Sequence, residues 1–196
     1  MSALINDLMI YFDGLLYLFI LLSPLFILIG IGIYIFFKAG MNGKKAFLWA
    51  SVYTLLMMSI VGIGLLTLTP SIGWSSVQLI PFYSMYNELN DPITYIIPIR
   101  NLGLNILLFV PFGFFLAARY YLKSNQAIIR RTTIGGAITS TTVEILQFVL
   151  PINRVSNIDD VILNTLGTFL GATVCYIFIK LIYRFIKPET SENIAA

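Results

Sequence analysis

An all-α, polytopic helical membrane protein is the fold the sequence predicts, and three observations predict it. Hydrophobic residues make up 58% of the 196-residue chain and charged residues only 11%, less than half the roughly 25% that soluble domains carry. The apolar residues gather into five long runs, each long enough to cross a hydrocarbon core of about 30 Å. Basic residues fall almost entirely in alternate connections between those runs, the pattern of a chain threaded back and forth through a bilayer.

The first run, residues 14–37, contains no charge. Asp7 and Asp13 precede it and no Lys or Arg does, so a retained transmembrane helix is expected here rather than a cleaved leader. Ser23-Pro24 marks a kink within it. A turn with Lys38, Lys44 and Lys45 leads to a second span over 46–68. Gly62 and Gly64 allow close helix contact or local bending there. They do not make a nucleotide loop, because no strand precedes them and no complete motif follows. Thr69-Pro70 ends this helix, since proline disfavours helical geometry in the residue before it, and residues 1–69 form the N-terminal pair of spans.

Residues 70–101 form the longest piece that does not span. It holds Trp74, Pro81-Phe82-Tyr83, Tyr86, Glu88, Asp91-Pro92, Tyr95, Pro98 and Arg100. Trp and Tyr favour the headgroup level, so this outer aromatic loop is expected to lie on the interface or dip into it. Loops of such length without regular structure are usually functional or disordered, and this one is too aromatic for a disordered linker. The third span, 102–122, carries Asn105 near its start and Pro111-x-Gly113 in its middle. The fourth, 132–150, stops at Pro151, and the fifth covers 161–186 before a polar tail at 187–196.

Cytoplasmic connections carry an excess of Lys and Arg. Ten of the twelve basic residues fall on one side: Lys38, Lys44 and Lys45; Arg119, Lys123, Arg130 and Arg131; Lys180, Arg184 and Lys187. Arg100 and Arg154 are left on the other. The expected topology is therefore N-terminus out and C-terminus in, with the aromatic loop and the turn around 153–160 facing out. This placement also accounts for the net charge of +3, and no nucleic-acid partner is expected. Histidine is absent, and the one cysteine, Cys175, lies deep in an apolar run. That removes the commonest metal ligand and general base, leaves no intramolecular disulfide, and predicts neither a metal nor a cofactor.

Residues 140–171 carry the polar groups that a bilayer tolerates least. Ser140, Glu144 and Gln147 are spaced i, i+4, i+7 and share one face of the fourth span. Asp160, Asn164, Gly167 and Gly171 repeat that spacing at the head of the fifth. By helical rise, Glu144 lies about 20 Å from Arg131 but only about 10 Å from Pro151. Asn105 and Asn164 each fall about one turn inside the outer surface. Asn105, Glu144, Gln147, Arg154, Asp159, Asp160 and Asn164 thus define a candidate polar site in the outer third of the bilayer. Two readings stay open for it. Buried polar side chains serve as interhelical glue, worth about 0.6–2 kcal/mol each. A carboxylate such as Glu144 needs a cation or a proton as well, so an Arg154 contact with Glu144, Asp159 or Asp160 is expected. Pro111, Gly113, Gly167 and Gly171 are assigned to helix packing.

The ordered set Leu79-Ile80-Pro81-Phe82, Asn105…Pro111-Phe-Gly113, Ser140/Thr141 before Glu144-Ile-Leu-Gln147, Arg154, and Asp160…Asn164-Thr-Leu-Gly167 with Gly171 resembles the VanZ-like family of bacterial membrane proteins. The likeness runs from about residue 78 to 171 and marks 78–186 as a VanZ-like region with three spans. Gln78 stands where the family pattern has Asn before the Pro-Phe pair. The resemblance implies a multi-pass protein of the bacterial cytoplasmic membrane and a link to low-level glycopeptide resistance, to teicoplanin in particular. The partners expected are membrane lipids or a lipid-linked envelope component, with a lipoglycopeptide antibiotic affected indirectly. No catalytic residue is assigned, and a non-enzymatic role leads. The alternative is a membrane-embedded enzyme modifying a lipid headgroup, with Glu144 or Asp160 as acid or base and Arg154 holding phosphate. A proton-coupled carrier using Glu144 ranks last, for want of a second polar layer toward the inner side.

Overall fold

The structure, a computed structural model, describes residues 2–71, 75–90, 96–123 and 126–186, with side chains over 20–71, 75–87, 90, 102–123 and 126–184. Trp74, Asp91-Pro92, Tyr95, the side chains of Asp7, Asp13, Glu88, Pro98 and Arg100, and the tail from Lys187 lie outside those residues. The fold is all-α. Among the described residues six helices run α1 (Ser2–Lys38), α2 (Gly43–Thr67), α3 (Tyr83–Asn90), α4 (Ile96–Lys123), α5 (Ile128–Val149) and α6 (Ile158–Ile186), with two short strands, β1 (Ser76–Gln78) and β2 (Val155–Asn157). The chain divides into two compact units, 1–58 and 59–196.

In the first unit α1 continues through Pro24. Proline has no N–H to give to the carbonyl four residues back. That carbonyl, of Ile20, accepts the Ser23 hydroxyl instead at 2.7 Å. The adjacent serine thus repairs what the proline removes. Asn42 caps α2 by accepting the Lys45 amide at 2.9 Å. Phe37, Trp49 and Tyr53 form an aromatic cluster, with Phe37 5.7 Å from each of the other two rings.

In the second unit α6 is the axis, packed on α4 and α5. Small residues set how close the backbones come. A Cβ on Gly167 would fall on the Ile106 carbonyl, one on Gly171 on the Val110 carbonyl, and one on Gly113 on the Thr168 backbone. Gly136 of α5 makes room for the Thr168 side chain in the same way. Between α2 and α3, β1 pairs in parallel with β2, with Ser76 opposite Val155, Val77 opposite Ser156 and Gln78 opposite Asn157. This ladder and α3 put regular structure inside the stretch expected to be a loop, and α4 also starts earlier than the expected span.

Among the described residues four helical segments are long and apolar enough to cross a membrane: Ile20–Lys38, Gly43–Thr67, Leu102–Lys123 and Ile158–Arg184. The fourth of the five expected spans lies in α5, which has 22 residues and so a length of about 33 Å. Its length suffices and its average hydropathy does not. The reason lies in how its two faces are divided. Thr132, Gly136, Ser140, Glu144 and Gln147 are buried, whereas Ile134, Ile138, Ile145, Phe148 and Val149 are exposed. This is the reverse of a water-facing amphipathic helix, with apolar groups outward and polar groups against α6. Thr139, Thr141 and Thr142 return their hydroxyls to carbonyls four residues back, at 2.8–2.9 Å, so they need no further partner.

Candidate functional site

The polar groups meet where α5 ends, β2 runs and α6 begins. Asn157 is the hub. Its side-chain oxygen accepts the Asp159 amide at 3.0 Å, the N-cap arrangement that satisfies an orphan donor of α6. Its own amide donates to Glu144 Oε2 at 2.7 Å. Its backbone also pairs across the ladder with Gln78. Asn157 is missing from the polar site expected above, although N-x-D ahead of an apolar helical run is a local start signal that marks it as a cap.

Asp159 is fully buried and serves a distant element. Its carboxylate accepts the amides of Phe82 at 2.5 Å and Met85 at 3.2 Å, both at the start of α3. A carboxylate there meets unpaired N–H groups and the positive end of the helix dipole. Phe82 adopts φ 65°, a left-handed conformation uncommon for a bulky residue. Such outliers persist where the surroundings hold them in place, and the bond from its N–H to Asp159 is one such hold. Asp160 accepts from Asn105 Nδ2 at 2.7 Å, tying α6 to α4. One turn further along, Asn164 Nδ2 donates to Ser140 Oγ at 2.8 Å, tying α6 to α5.

Arg154 goes elsewhere than expected. Its Nε donates to the Thr69 carbonyl at 2.8 Å and its Nη2 to the Leu66 carbonyl at 3.0 Å. Helix ends leave carbonyls without donors. Leu66 is a pronounced case, because the residue four positions on is Pro70, which has no N–H. Gln147 Nε2 adds a third cap, on the Thr67 carbonyl at 2.9 Å. Arg154 and Gln147 therefore close the end of α2. Among the described residues, the expected contact of Arg154 with Glu144, Asp159 or Asp160 is replaced by these carbonyl bonds.

The structure thus brings Asn105 with Asp160, Glu144 with Asn157, and Asn164 with Ser140, and sets Arg154 and Gln147 on the end of α2. A small recess opens among α3, α4 and the head of α6, lined by Ser84, Met85, Leu102, Asn105, Asn157, Asp159 and Asp160. Its free volume of about 20 Å³ holds about one water-sized group. Beside it Leu79, Ile80, Phe82, Tyr83 and Tyr86 stand exposed. Among the described residues no group of three or more Cys, Asp or Glu side chains is placed to hold a metal.

Fold and site together define an integral membrane protein of helical type, with a polar seam along α6 and a recess where that helix begins. Residues 19–180 match the family described as VanZ/LLP1, and the chain belongs to that family. No curated protein and no solved structure matches it.

Proposed function

We propose that the protein acts at the outer leaflet of the bacterial cytoplasmic membrane, where the recess engages the polar head of a lipid-linked envelope component. Such engagement lowers the access or anchoring of a lipoglycopeptide antibiotic, giving low-level tolerance to teicoplanin. The observation that carries this reading is a polar recess bordered by exposed Phe82, Tyr83 and Tyr86. Aromatic side chains with a polar tip settle at the headgroup level, which supports a lipid head as the group that meets Asn105 and Asp160. The 10-to-2 division of basic residues supports the outward orientation of this end.

The test is expression in a sensitive Gram-positive host. Tolerance should rise more for teicoplanin than for vancomycin, because only teicoplanin carries an acyl tail that holds it in the outer leaflet. Asn105→Ala and Ser84→Trp should abolish the rise while the protein still accumulates in the membrane. A cysteine at Ser84, in a Cys175→Ser background, should label from outside. Equal tolerance to both drugs removes the argument from the tail, and labelling of Ser84 only from inside reverses the orientation.

A further inference from the structure

We propose that the buried face of α5 holds a second site, distinct from the recess, in which Glu144, Gln147 and Asn164 bind a hard cation such as sodium or calcium. Glu144, Gln147 and Asn164 are 6%, 5% and 3% exposed, and Ser140 beside them is fully buried. Gln147 has spent its amide nitrogen on the Thr67 carbonyl. A backbone carbonyl only accepts, so the orientation of that amide is fixed. Its Oε1 is left buried with no hydrogen-bond partner. Asn164 likewise donates to Ser140, and its Oδ1 has no partner. Glu144 shares the buried face of α5 with Gln147 and Ser140, and Asn164 reaches that face from α6 through its bond to Ser140. One Glu144 carboxylate oxygen takes the Asn157 amide, and a carboxylate offers roughly four lone-pair sites.

Residues three and four apart on a helix hold their Cβ atoms about 5–6 Å from each other. Glu144 is therefore a neighbour of Gln147 on one side and of Ser140, the partner of Asn164, on the other. Asp160 lies close enough to act electrostatically on Glu144, adding a second negative charge to the neighbourhood. Glu144 takes donors from the Asn157 amide and the Ser156 side chain, whereas none reaches Gln147 Oε1 or Asn164 Oδ1. Buried acceptors left unpaired are costly, and a cation satisfies several at once. Oxygen ligands alone select hard ions. The chain has no histidine, and Cys175 packs at a different level, among Ala117, Ile128 and Ala172. This site does not depend on the lipid-binding reading of the recess.

The experiment is thermal unfolding of the purified full-length protein in nanodiscs. Sodium chloride, calcium chloride and N-methylglucamine chloride are compared at matched ionic strength. An ion bound only by the folded state raises Tm in a saturable way, so sodium or calcium should do so and N-methylglucamine should not. The arm that responds identifies the ion. Glu144→Gln should weaken binding at least about tenfold, Asn164→Ala should also weaken it, and Asn164→Asp, which adds a charge, should tighten it. If Glu144→Gln does not fold, the opposed effects of the two Asn164 variants decide. Unfolding that is the same in all three salts overturns the site and assigns Asn164 the flipped amide, with its nitrogen toward Glu144. A response that both Glu144→Gln and Asn164→Ala keep in full overturns it too.

Discussion

Gly167→Leu should strongly destabilise the second unit. The Ile106 carbonyl of α4 occupies the space that any Cβ at 167 would need. A clash with the far end of a flexible side chain relaxes at little cost. Here the obstacle is backbone, and α4 can retreat only by also losing its contacts at Gly171 and Gly113. Inserting side-chain volume into a close-packed interface costs about 1–3 kcal/mol and occasionally more. This site belongs at the upper end, about 3 kcal/mol, a large share of a typical total. Reversible unfolding in mixed micelles measures the loss. Gly64→Leu is the control, because nothing lies within 4 Å of a Cβ there. If both variants unfold alike, the close approach of α4 and α6 does not carry stability.

Asp159→Ala should release α3. The substitution leaves the amides of Phe82 and Met85 without their acceptor. It also removes the only carboxylate that, among the described residues, bonds that helix start. Loss of a capping side chain costs about 0.5–2 kcal/mol, and hydrogen bonds to charged groups are worth about 1.5–3 each. With two such bonds and a buried site, about 3 kcal/mol is expected. The effect should be local, because α3 makes few contacts beyond α4 and α6. Limited proteolysis should therefore cut between 79 and 90 in the variant while α4, α5 and α6 stay intact. Asp159→Asn keeps one acceptor oxygen and should fall between the two. Resistance of the alanine variant to cleavage would show that the ladder and the packing of α3 hold it without the cap.

Much of this architecture is legible in the residues, and the rest has identifiable reasons for being hidden. Uncharged runs reveal α1, α2, α4 and α6 because the bilayer imposes one requirement on every residue it touches. The spacing of Ser140, Glu144 and Gln147 reveals their common face, since helical periodicity is local. The partner of each group is not local. Arg154 reaches across 85 positions to Thr69, and Asp159 across 77 to Phe82. Charge complementarity suggests pairing Arg154 with a carboxylate. The structure shows that an unsatisfied helix end, worsened by Pro70, is the stronger claim on its donors. The loop at 70–101 conceals β1 because a three-residue strand has no hydropathy signature and is defined only by β2, far along the chain.

The reversed faces of α5 bear on how the protein is made. Membrane insertion machinery responds to the hydrophobicity of a segment as it emerges, and a carboxylate or guanidinium near the centre of one carries a penalty of about 2.5–3.5 kcal/mol. α5 reaches that machinery with Glu144, Gln147, Arg130 and Arg131 in place and without β2 and α6, whose Asn157 and Asn164 later bond its polar side. Held alone, α5 should partition poorly. Held until α6 follows, it should enter as half of a helical pair. Glycosylation-site mapping on truncated nascent chains gives the comparison: chains ending at 150 should leave α5 largely uninserted, and chains ending at 186 should carry it across. Full insertion at 150 would make α5 independent of its successor. With pairwise entry, loss of α6 damages the protein twice: the preceding segment is stranded during synthesis, and the seam has no partner in whatever is completed.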